Sequence, residues 1–197
     1  MRVLVTGHLG YIGTVLTPML VRAGHEVTGL DSDLYARCTF SPGGEIVNVP
    51  TILKDTRDVD ISDFVGMDAV LHLAALSNDP LGNLKPGLTD EINHRASVRI
   101  AELAKKAGVR RFVFASSCSN YGQAGEEMVD ETGKLNPVTA YGESRSCRSV
   151  TFPNSREMVS VLSTCAQPPP MGYRRGSVST SSSTILSRGH SPPEKSI

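Results

Sequence analysis

Three glycines near the N-terminus restrict this chain more than any other feature. Gly7, Gly10 and Gly13 follow an apolar run at residues 3–5, and the sequence predicts a helix over residues 11–23. After a buried strand, the first glycine permits a sharp turn and the second lets the backbone approach a pyrophosphate. The third lets the helix pack closely on the sheet, and the helix N-terminus offers its N–H groups to phosphates. The sequence therefore predicts a dinucleotide-binding turn.

An acidic residue follows the second predicted strand. This strand, residues 26–30, ends at Asp31, and the predicted helix separates it from the first strand. Strand, helix and strand with short joints form the βαβ unit of a parallel sheet. A carboxylate at this point accepts hydrogen bonds from the adenosine ribose and repels a 2′-phosphate, which favours NAD over NADP. The alternative, a purely structural glycine turn, is disfavoured because Asp31 stands where the cofactor needs it.

The alternation of strands and helices continues to about residue 145. Further strands are predicted at residues 46–49, 69–73 and 111–115. A helix is predicted over residues 90–107, with one apolar face formed by Ile92, Ala96, Ile100 and Leu103. The sequence therefore predicts an α/β fold, a doubly wound, mostly parallel sheet of about five strands with helices on both faces.

Composition excludes several classes of function. The chain has 197 residues, 39% of them hydrophobic and 20% charged, and its formal net charge is zero, so nothing indicates a nucleic-acid partner. No apolar run approaches the roughly 20 residues that a membrane span needs. The five histidines show no ligand spacing, so no metal site is expected. The cysteines lack CxxC spacing and are expected to be reduced thiols in a cytoplasmic protein: Cys38, Cys118, Cys147 and Cys165.

Six motifs in a fixed order carry a family resemblance. They are TGHLGYIG (6–13), Asp31, KDTRDV (54–59), HLAA (72–75), SSCSNYG (116–122) and YGESR (141–145). In this combination residues 1–145 resemble the extended short-chain dehydrogenases, and within them the NAD-dependent epimerases and dehydratases that act on nucleotide sugars. The resemblance implies a Rossmann-type fold, NAD as cofactor and a nucleotide sugar as substrate.

The resemblance also assigns cofactor contacts beyond the glycines and Asp31. Tyr11 and Ile12 belong to the glycine loop, although the side chain of Tyr11, like that of His8, is expected only to pack. Asp55 and Thr56 match a pair that contacts adenine, with an ordinary polar loop as the alternative. Four further residues match positions along the cofactor or near the active site, with tight packing as the alternative for the first three: Leu73, Ala74, Ala75 and Asn93.

Catalysis is assigned by the resemblance to a serine and a tyrosine. Ser117 precedes Tyr121 by four residues, as the family pattern requires, and Ser116 and Ser119 are the alternatives if the register slips. Tyr141 begins the YxxxK element, in which a tyrosinate takes or returns a hydroxyl proton while hydride moves to or from the nicotinamide. The lysine of that element binds the nicotinamide ribose and lowers the tyrosine pKa.

The chain departs from its family at the last residue of this element. Arg145 stands where the family has lysine and is the third catalytic residue that the resemblance implies, although arginine keeps the charge without the compact ammonium geometry. Residues 146–197 are rich in Ser, Arg and Pro, and Pro153 ends any helix soon after Arg145. We therefore expect an NAD-binding domain over residues 1–145 and a poorly ordered tail over residues 146–197.

The tail is best explained as an out-of-frame translation. With synonymous codons chosen freely, one adenine restored at codon 145 allows a lysine there. A helical opening, an apolar strand ending in Leu-Arg and a Tyr-Gly pair then follow, as in the family. A natural disordered tail is the alternative that this composition also supports.

These expectations combine into one functional hypothesis. The chain is an NAD-dependent epimerase- or dehydratase-type enzyme in an incomplete form that is weakly active or inactive. The alternative is a non-catalytic NAD(P)-binding sensor or regulatory protein on the same fold. A dimer is doubtful because the helix after Tyr141 is disrupted, and neither a nucleic acid nor a membrane is expected as a partner.

Overall fold

A single parallel sheet forms the centre of the molecule. The computed structural model describes residues 1–36, 47–77, 79–122, 134–146 and 158–163. Within them six strands lie in the order β3-β2-β1-β4-β5-β6, and every neighbouring pair is parallel. This is the doubly wound, Rossmann-type order. The strands are β1 (Arg2–Thr6), β2 (Glu26–Asp31), β3 (Thr51–Leu53), β4 (Ala69–His72), β5 (Arg111–Ser117) and β6 (Met158–Ser163).

Helices connect the strands. They are α1 (Gly13–Arg22), α2 (Asp79–Leu84), α3 (Pro86–Asp90), α4 (Ala96–Lys106) and α5 (Ala140–Ser144), and a π-helical segment, Glu91–Arg95, joins α3 to α4. Short 3-10 turns lie at Thr56–Asp58, Ile61–Phe64 and Cys118–Tyr121. The described helices all fall short of the length and apolarity that a bilayer span requires.

Apolar side chains cover both faces of the sheet. In β1, Leu4 packs on one face with Ile100 of α4, whereas Val3 and Val5 pack on the opposite face, near Leu20 of α1. Burial on two faces is the reason that this strand is a continuous apolar run instead of an alternating one. It also leaves the carboxyl ends of the strands as the edge on which polar residues can meet.

One predicted strand is displaced. Residues 46–49 were expected to form it, but pairing with β2 runs over Thr51–Leu53, in register with Gly29–Asp31. Val49 is nevertheless buried in the core, so its apolar character reflects packing and not ladder pairing. The carbonyl of Pro50 accepts a hydrogen bond of 2.8 Å from the Gly29 N–H, and Pro50 itself has no N–H to donate. The ladder therefore begins beside the proline.

The sheet has one strand more than the five predicted. β6 lies within residues 146–197, where no regular structure was expected, and it pairs with β5 from Phe112 to Ser117. The strand was not predicted because its short run with two valines and a leucine lies in a Ser- and Pro-rich region. Such a run forms a strand when the edge of a neighbouring strand is available for pairing. Residues 147–157 and 164–197 lie outside the described part, so the predicted disorder there stays a prediction.

The long helical region has a different buried face from the one predicted. Ala96 and Ile100 are buried as expected, but Ile92 and Leu103 are only half-buried. The fully buried positions include two polar residues, Asn93 and Ser97, whose hydrogen bonds satisfy them in the interior. A π turn contains an extra residue per turn, which rotates the face that meets the sheet.

Candidate functional site

The chain leaves the two paired middle strands, β1 and β4, towards opposite sides of the sheet, which defines a crevice above their carboxyl ends. From β1 the chain leads to β2 and β3 on one side, and from β4 it leads to β5 and β6 on the other. Ligands of open α/β sheets bind outside the carboxyl ends of the strands at such a switch point. Gly7 has a φ of 74°, and a Cβ on it would lie 2.8 Å from the Ala74 nitrogen. Only glycine therefore lets the two loops meet at the floor of the crevice.

The glycine loop closes around the carbonyl of Gly7. The N–H of Gly10 donates to that oxygen over 3.1 Å, and a Cβ on Gly13 would collide with it. Tyr11 is 94% exposed and Ile12 about half exposed, so their side chains leave the loop surface open. The ten-residue helix α1 has no side-chain cap at its N-terminus and no acidic residue in its first turn. These features fit a bound anion at this terminus.

Asp31 is held in place beside the loop. Its Oδ2 accepts a hydrogen bond from the Leu9 N–H over 3.0 Å, and its Oδ1 accepts one from the Asp33 N–H over 2.9 Å. His8 is buried against Gly29, with its Nδ1 3.9 Å from Asp31 Oδ2. Burial lowers the pKa of His8, although the carboxylate of Asp31 opposes that effect. A neutral His8 does not offset the negative charge of Asp31.

Asp55 and Thr56 form a short turn at the end of β3. Asp55 caps the turn by accepting from the Arg57 N–H over 2.9 Å, and its carboxylate also accepts from the Arg57 Nε and Nη2. The guanidinium of Arg57 holds the pKa of Asp55 below its usual range. Thr56 is buried. The geometry therefore shows a structural role for Asp55, and its contact with adenine stays a prediction.

The end of β4 lies opposite the glycine loop. The Leu73 N–H donates to the Thr6 carbonyl over 3.1 Å, and the Ala74 N–H donates to the Thr6 hydroxyl over 3.3 Å. Leu73, Ala74 and Ala75 are all half-buried. The backbone of Ala74 lies against Gly7, so this strand end fits tight packing, and its small side chains are also compatible with the predicted path of the cofactor.

Asn93 lies beneath this edge instead of on it. Its Oδ1 accepts from the Leu76 N–H over 2.8 Å, and its Nδ2 donates to the Leu76 carbonyl over 2.9 Å and to the Ser144 hydroxyl over 3.1 Å. The residue is fully buried. The amide is thus occupied by protein partners, and this geometry gives no support for direct contact between Asn93 and a cofactor.

The candidate serines differ in what their hydroxyls contact. Ser116 donates to the Arg145 carbonyl over 3.1 Å and accepts from Asn120 over 2.7 Å, so it is engaged in the interior. Ser117 caps the turn after β5 by accepting from the Ser119 N–H over 3.2 Å, and the two hydroxyl oxygens are 3.2 Å apart. Ser117 and Ser119 therefore stay the candidates at the edge of the sheet.

Tyr141 lies in the first turn of α5, against the loop that carries these serines. Thr139 caps this helix by accepting from the Gly142 N–H over 3.0 Å. A Cβ on Gly142 would lie 2.8 Å from the Ser119 carbonyl oxygen, so the helix and the serine turn are in close contact. The structure thus brings Tyr141 and Ser117 onto two adjoining segments.

Arg145 is not presented to this edge. Only 2% of the residue is exposed, and its guanidinium carbon lies 4.4 Å from the centre of the Phe114 ring. Its Nη2 donates to the Ala115 carbonyl. Because α5 ends at Ser144, the chain leaves the helix at Arg145 and the side chain packs on β5. A catalytic role for Arg145 was expected from its position in the motif, and the geometry does not support it.

The sequence reasoning missed a buried polar network centred on His72. His72 is fully buried and bonds to Thr6 and Ser97 through its two ring nitrogens. Burial lowers the pKa of His72 to about 3, and the positive charge of Arg145 adds to the effect. The available signal was a polar side chain at the end of an otherwise apolar strand, with Ser97 on the inner face of a helix. No group of His, Cys, Asp or Glu side chains within the described ranges could hold a metal ion.

Comparison with known proteins gives consistent matches. The family model described as NAD dependent epimerase/dehydratase matches residues 3–166. The UDP-glucose 4-epimerase of Streptomyces lividans is 32% identical over 154 residues, covering 72% of this chain and 44% of the relative. The enzyme of the same name from Lactobacillus helveticus is 34% identical over 152 residues, covering 74% and 44%. The chain thus spans less than half the length of these curated relatives.

Solved structures show the same partial coverage. The Thermus thermophilus UDP-glucose 4-epimerase in complex with NAD superposes with a TM-score of 0.63 at 29% identity, covering 75% of this chain and 48% of that one. MoeE5 in complex with UDP-glucuronic acid and NAD gives a TM-score of 0.69 at 28% identity, covering 82% and 53%.

Proposed function

We propose, since this chain belongs to the NAD-dependent epimerase/dehydratase family, that the crevice above the carboxyl ends of β1 and β4 binds NAD. The observation that carries the proposal is the cradle of Gly7, Gly10 and Gly13, where neighbouring backbone crowds the positions that Cβ atoms would take. Such a loop brings backbone N–H groups to a pyrophosphate, and the uncapped N-terminus of α1 adds its own. NAD, when bound, supplies the nicotinamide that exchanges hydride with the substrate.

The preference for NAD over NADP is assigned to Asp31. Its carboxylate is fixed by two backbone N–H groups, each on a different oxygen, and lone pairs remain for the hydroxyls of a ribose. A 2′-phosphate at the same place would meet this negative charge, and such a like-charge pair costs several kcal/mol. Isothermal titration of the full chain should show NAD binding and NADP binding at least about tenfold weaker. Asp31→Asn should narrow that difference, whereas equal affinities in the unaltered chain would contradict the assignment.

The substrate is proposed to be a nucleotide sugar. The chemistry assigned to this chain is a proton transfer by Tyr141 at a sugar hydroxyl, with the hydroxyl of Ser117 as a hydrogen-bonding partner. Support comes from the contact between the serine turn and α5, which places both residues on adjoining segments at the carboxyl edge of the sheet. The sugar and the reacting carbon are not assigned.

Turnover by this chain is proposed to be weak or absent. In the YxxxK element a cation lies close to the tyrosine and favours its ionised form. Here the guanidinium of Arg145 is buried over Phe114 instead. The purified chain, assayed with UDP-glucose and NAD, should turn over far more slowly than the UDP-glucose 4-epimerase of Streptomyces lividans. Comparable rates would refute this part of the proposal.

The burial of Arg145 also favours a second candidate, a non-catalytic NAD(P)-binding sensor or regulatory protein. Tyr141→Phe separates the two candidates, because it removes the acid/base group and leaves the glycine loop unaltered. Loss of residual activity with unchanged NAD binding would support the enzyme. A Tyr141→Phe chain that keeps every phenotype of the unaltered chain would support the sensor.

A further inference from the structure

A continuous chain of hydrogen bonds runs through the interior from the crevice to the long helix. The Ala74 N–H donates to the Thr6 hydroxyl oxygen, which lies 2.6 Å from His72 Nδ1. His72 Nε2 lies 2.8 Å from the Ser97 hydroxyl oxygen, and that hydroxyl donates to the Asn93 carbonyl over 2.6 Å. Thr6 and His72 are 66 residues apart in sequence, so the network joins distant segments.

The positions of the protons in this network follow from counting donors. The single hydroxyl hydrogen of Ser97 goes to the Asn93 carbonyl, so Ser97 accepts from His72 and Nε2 carries the ring hydrogen. A neutral ring then leaves Nδ1 as an acceptor for the Thr6 hydroxyl. Thr6 in turn accepts from the Ala74 N–H. Thr6, His72 and Ser97 each donate one hydrogen bond and accept one, so all donors in the chain of bonds point in the same direction, from Ala74 towards Asn93.

The surroundings of His72 keep the ring neutral and in place. Its centroid lies 6.2 Å from that of Phe112 and 5.9 Å from that of Phe114, and no part of the residue is exposed. The buried guanidinium of Arg145 adds a positive charge nearby, which opposes protonation of the ring. A protonated ring would also lose the acceptor that the Thr6 hydroxyl uses.

The same network reaches the helix that carries Tyr141. Asn93, in the π-helical segment, donates to the Ser144 hydroxyl over 3.1 Å, and Ser144 donates to the Tyr141 carbonyl over 2.8 Å. The Asn93 amide also makes two hydrogen bonds with Leu76, just after β4. Asn93 therefore connects the segment that follows β4 to α5 through buried hydrogen bonds.

We propose that His72 is a positioning residue that sets the Thr6–Gly7 and Ala74 edge of the cofactor crevice relative to α5. This inference rests on the proposed function, because the edge that it positions is the one assigned to NAD. A histidine that only filled core volume would need neither of its two nitrogen contacts. The proposal therefore requires that loss of the Nδ1 contact and loss of the Nε2 contact change NAD affinity by different amounts.

Two substitutions remove the nitrogen contacts one at a time. Counted along bonds from Cβ, the amide atoms of Asn stand where Nδ1 stands, and those of Gln stand where Nε2 stands. His72→Asn keeps an acceptor for Thr6 and loses the donor to Ser97, whereas His72→Gln keeps the donor and loses the acceptor. Both variants remove the aromatic ring, so each serves as the control for the packing effect in the other.

The NAD affinity of the full chain then tests the proposal. His72→Gln should bind NAD about tenfold more weakly, as expected for the loss of one buried hydrogen bond, and His72→Asn less than about threefold more weakly. Thr6→Val should weaken NAD binding in the otherwise unaltered chain, and it should weaken binding less in the His72→Gln chain, where the bond between Thr6 and His72 is already lost. Equal NAD affinities for the Asn and Gln variants would overturn the proposal.

A measurement without cofactor separates this inference from the proposed function. In the free chain, ring-nitrogen NMR should show the Nε2–H form of His72, and the Ala74 amide should exchange with solvent faster in His72→Gln than in His72→Asn. If the full chain does not bind NAD, the proposed function fails while this arm still decides the network. Equal exchange in the two variants would overturn the positioning role whether or not NAD binds.

Discussion

Burial of His72 couples the stability of this protein to pH. His72 has a pKa of about 3 in the native state, against an ordinary value of 6.5. Between these values the unfolded chain binds a proton at this residue that the native chain does not bind. The free energy of unfolding therefore falls as the pH is lowered from 6.5 towards 3, by up to about 1.4 kcal/mol per pH unit from this group.

The slope is measurable by urea unfolding at several pH values between 4.5 and 7. We predict a shallower slope for His72→Gln than for the unaltered chain, even though the variant is less stable at pH 7. The lowered pKa of His8 acts in the same direction, but it is present in both chains and cancels in the comparison. Identical slopes would show that the native ring takes up its proton normally.

Two glycines in helical surroundings should respond oppositely to the same substitution. A Cβ on Gly13 would meet the Gly7 carbonyl and the His8 backbone, whereas a Cβ on Gly87 would meet nothing within 4 Å. Gly13→Ala should lower the free energy of unfolding by about 1–3 kcal/mol through overpacking. Gly87→Ala should leave it unchanged or raise it by up to about 1 kcal/mol, because alanine favours helix. Equal effects in urea unfolding would contradict the crowding at Gly13.

At the scale of elements, β6 is the strand whose formation the sequence did not predict. It pairs with β5 from Phe112 to Ser117 and is an edge strand of the described sheet. In an edge strand the N–H groups of alternate residues point to the neighbour, and the others point away. Proline, which lacks this N–H, therefore distinguishes the two orientations.

Val159 and Ser160 pair with Val113 and Phe114 and form a matched pair for this test. One of Val159→Pro and Ser160→Pro should remove a ladder hydrogen bond and cost about 1 kcal/mol or more, and the other should cost distinctly less. Unfolding of the full chain in urea measures both. If neither substitution changes stability, pairing of β6 contributes nothing to the native state.

At the scale of the whole molecule, the similarity to known proteins covers part of this chain and not all of it. Three curated relatives cover 72–74% of this chain, a share close to that of residues 1–145, while the family model extends to residue 166. We propose that the text from about residue 145 is translated out of frame, which accounts for arginine at the lysine position and for the Ser-, Arg- and Pro-rich composition.

Sequencing the DNA through codon 145 tests this proposal. We predict that restoring one adenine opens a frame that encodes lysine at position 145, followed by a sequence with helix and strand patterns of the family type. A protein made from the restored frame should have the epimerase- or dehydratase-type turnover that the present chain is proposed to lack. An uninterrupted gene without family-like sequence in the other frame would instead favour a natural tail.

The sequence by itself determined the first βαβ unit, its glycine turn and the place of Asp31, because those features depend on backbone sterics among neighbouring residues. The tertiary structure decided the features that depend on contacts between distant segments. Pairing of β6 depended on an open edge at β5, and the direction of Arg145 depended on where α5 ends. The role of His72 depended on Thr6 and Ser97, whose hydroxyls lie far away in sequence. Burial of polar groups is favourable only when partners are supplied, and the folded chain alone shows which groups supply them.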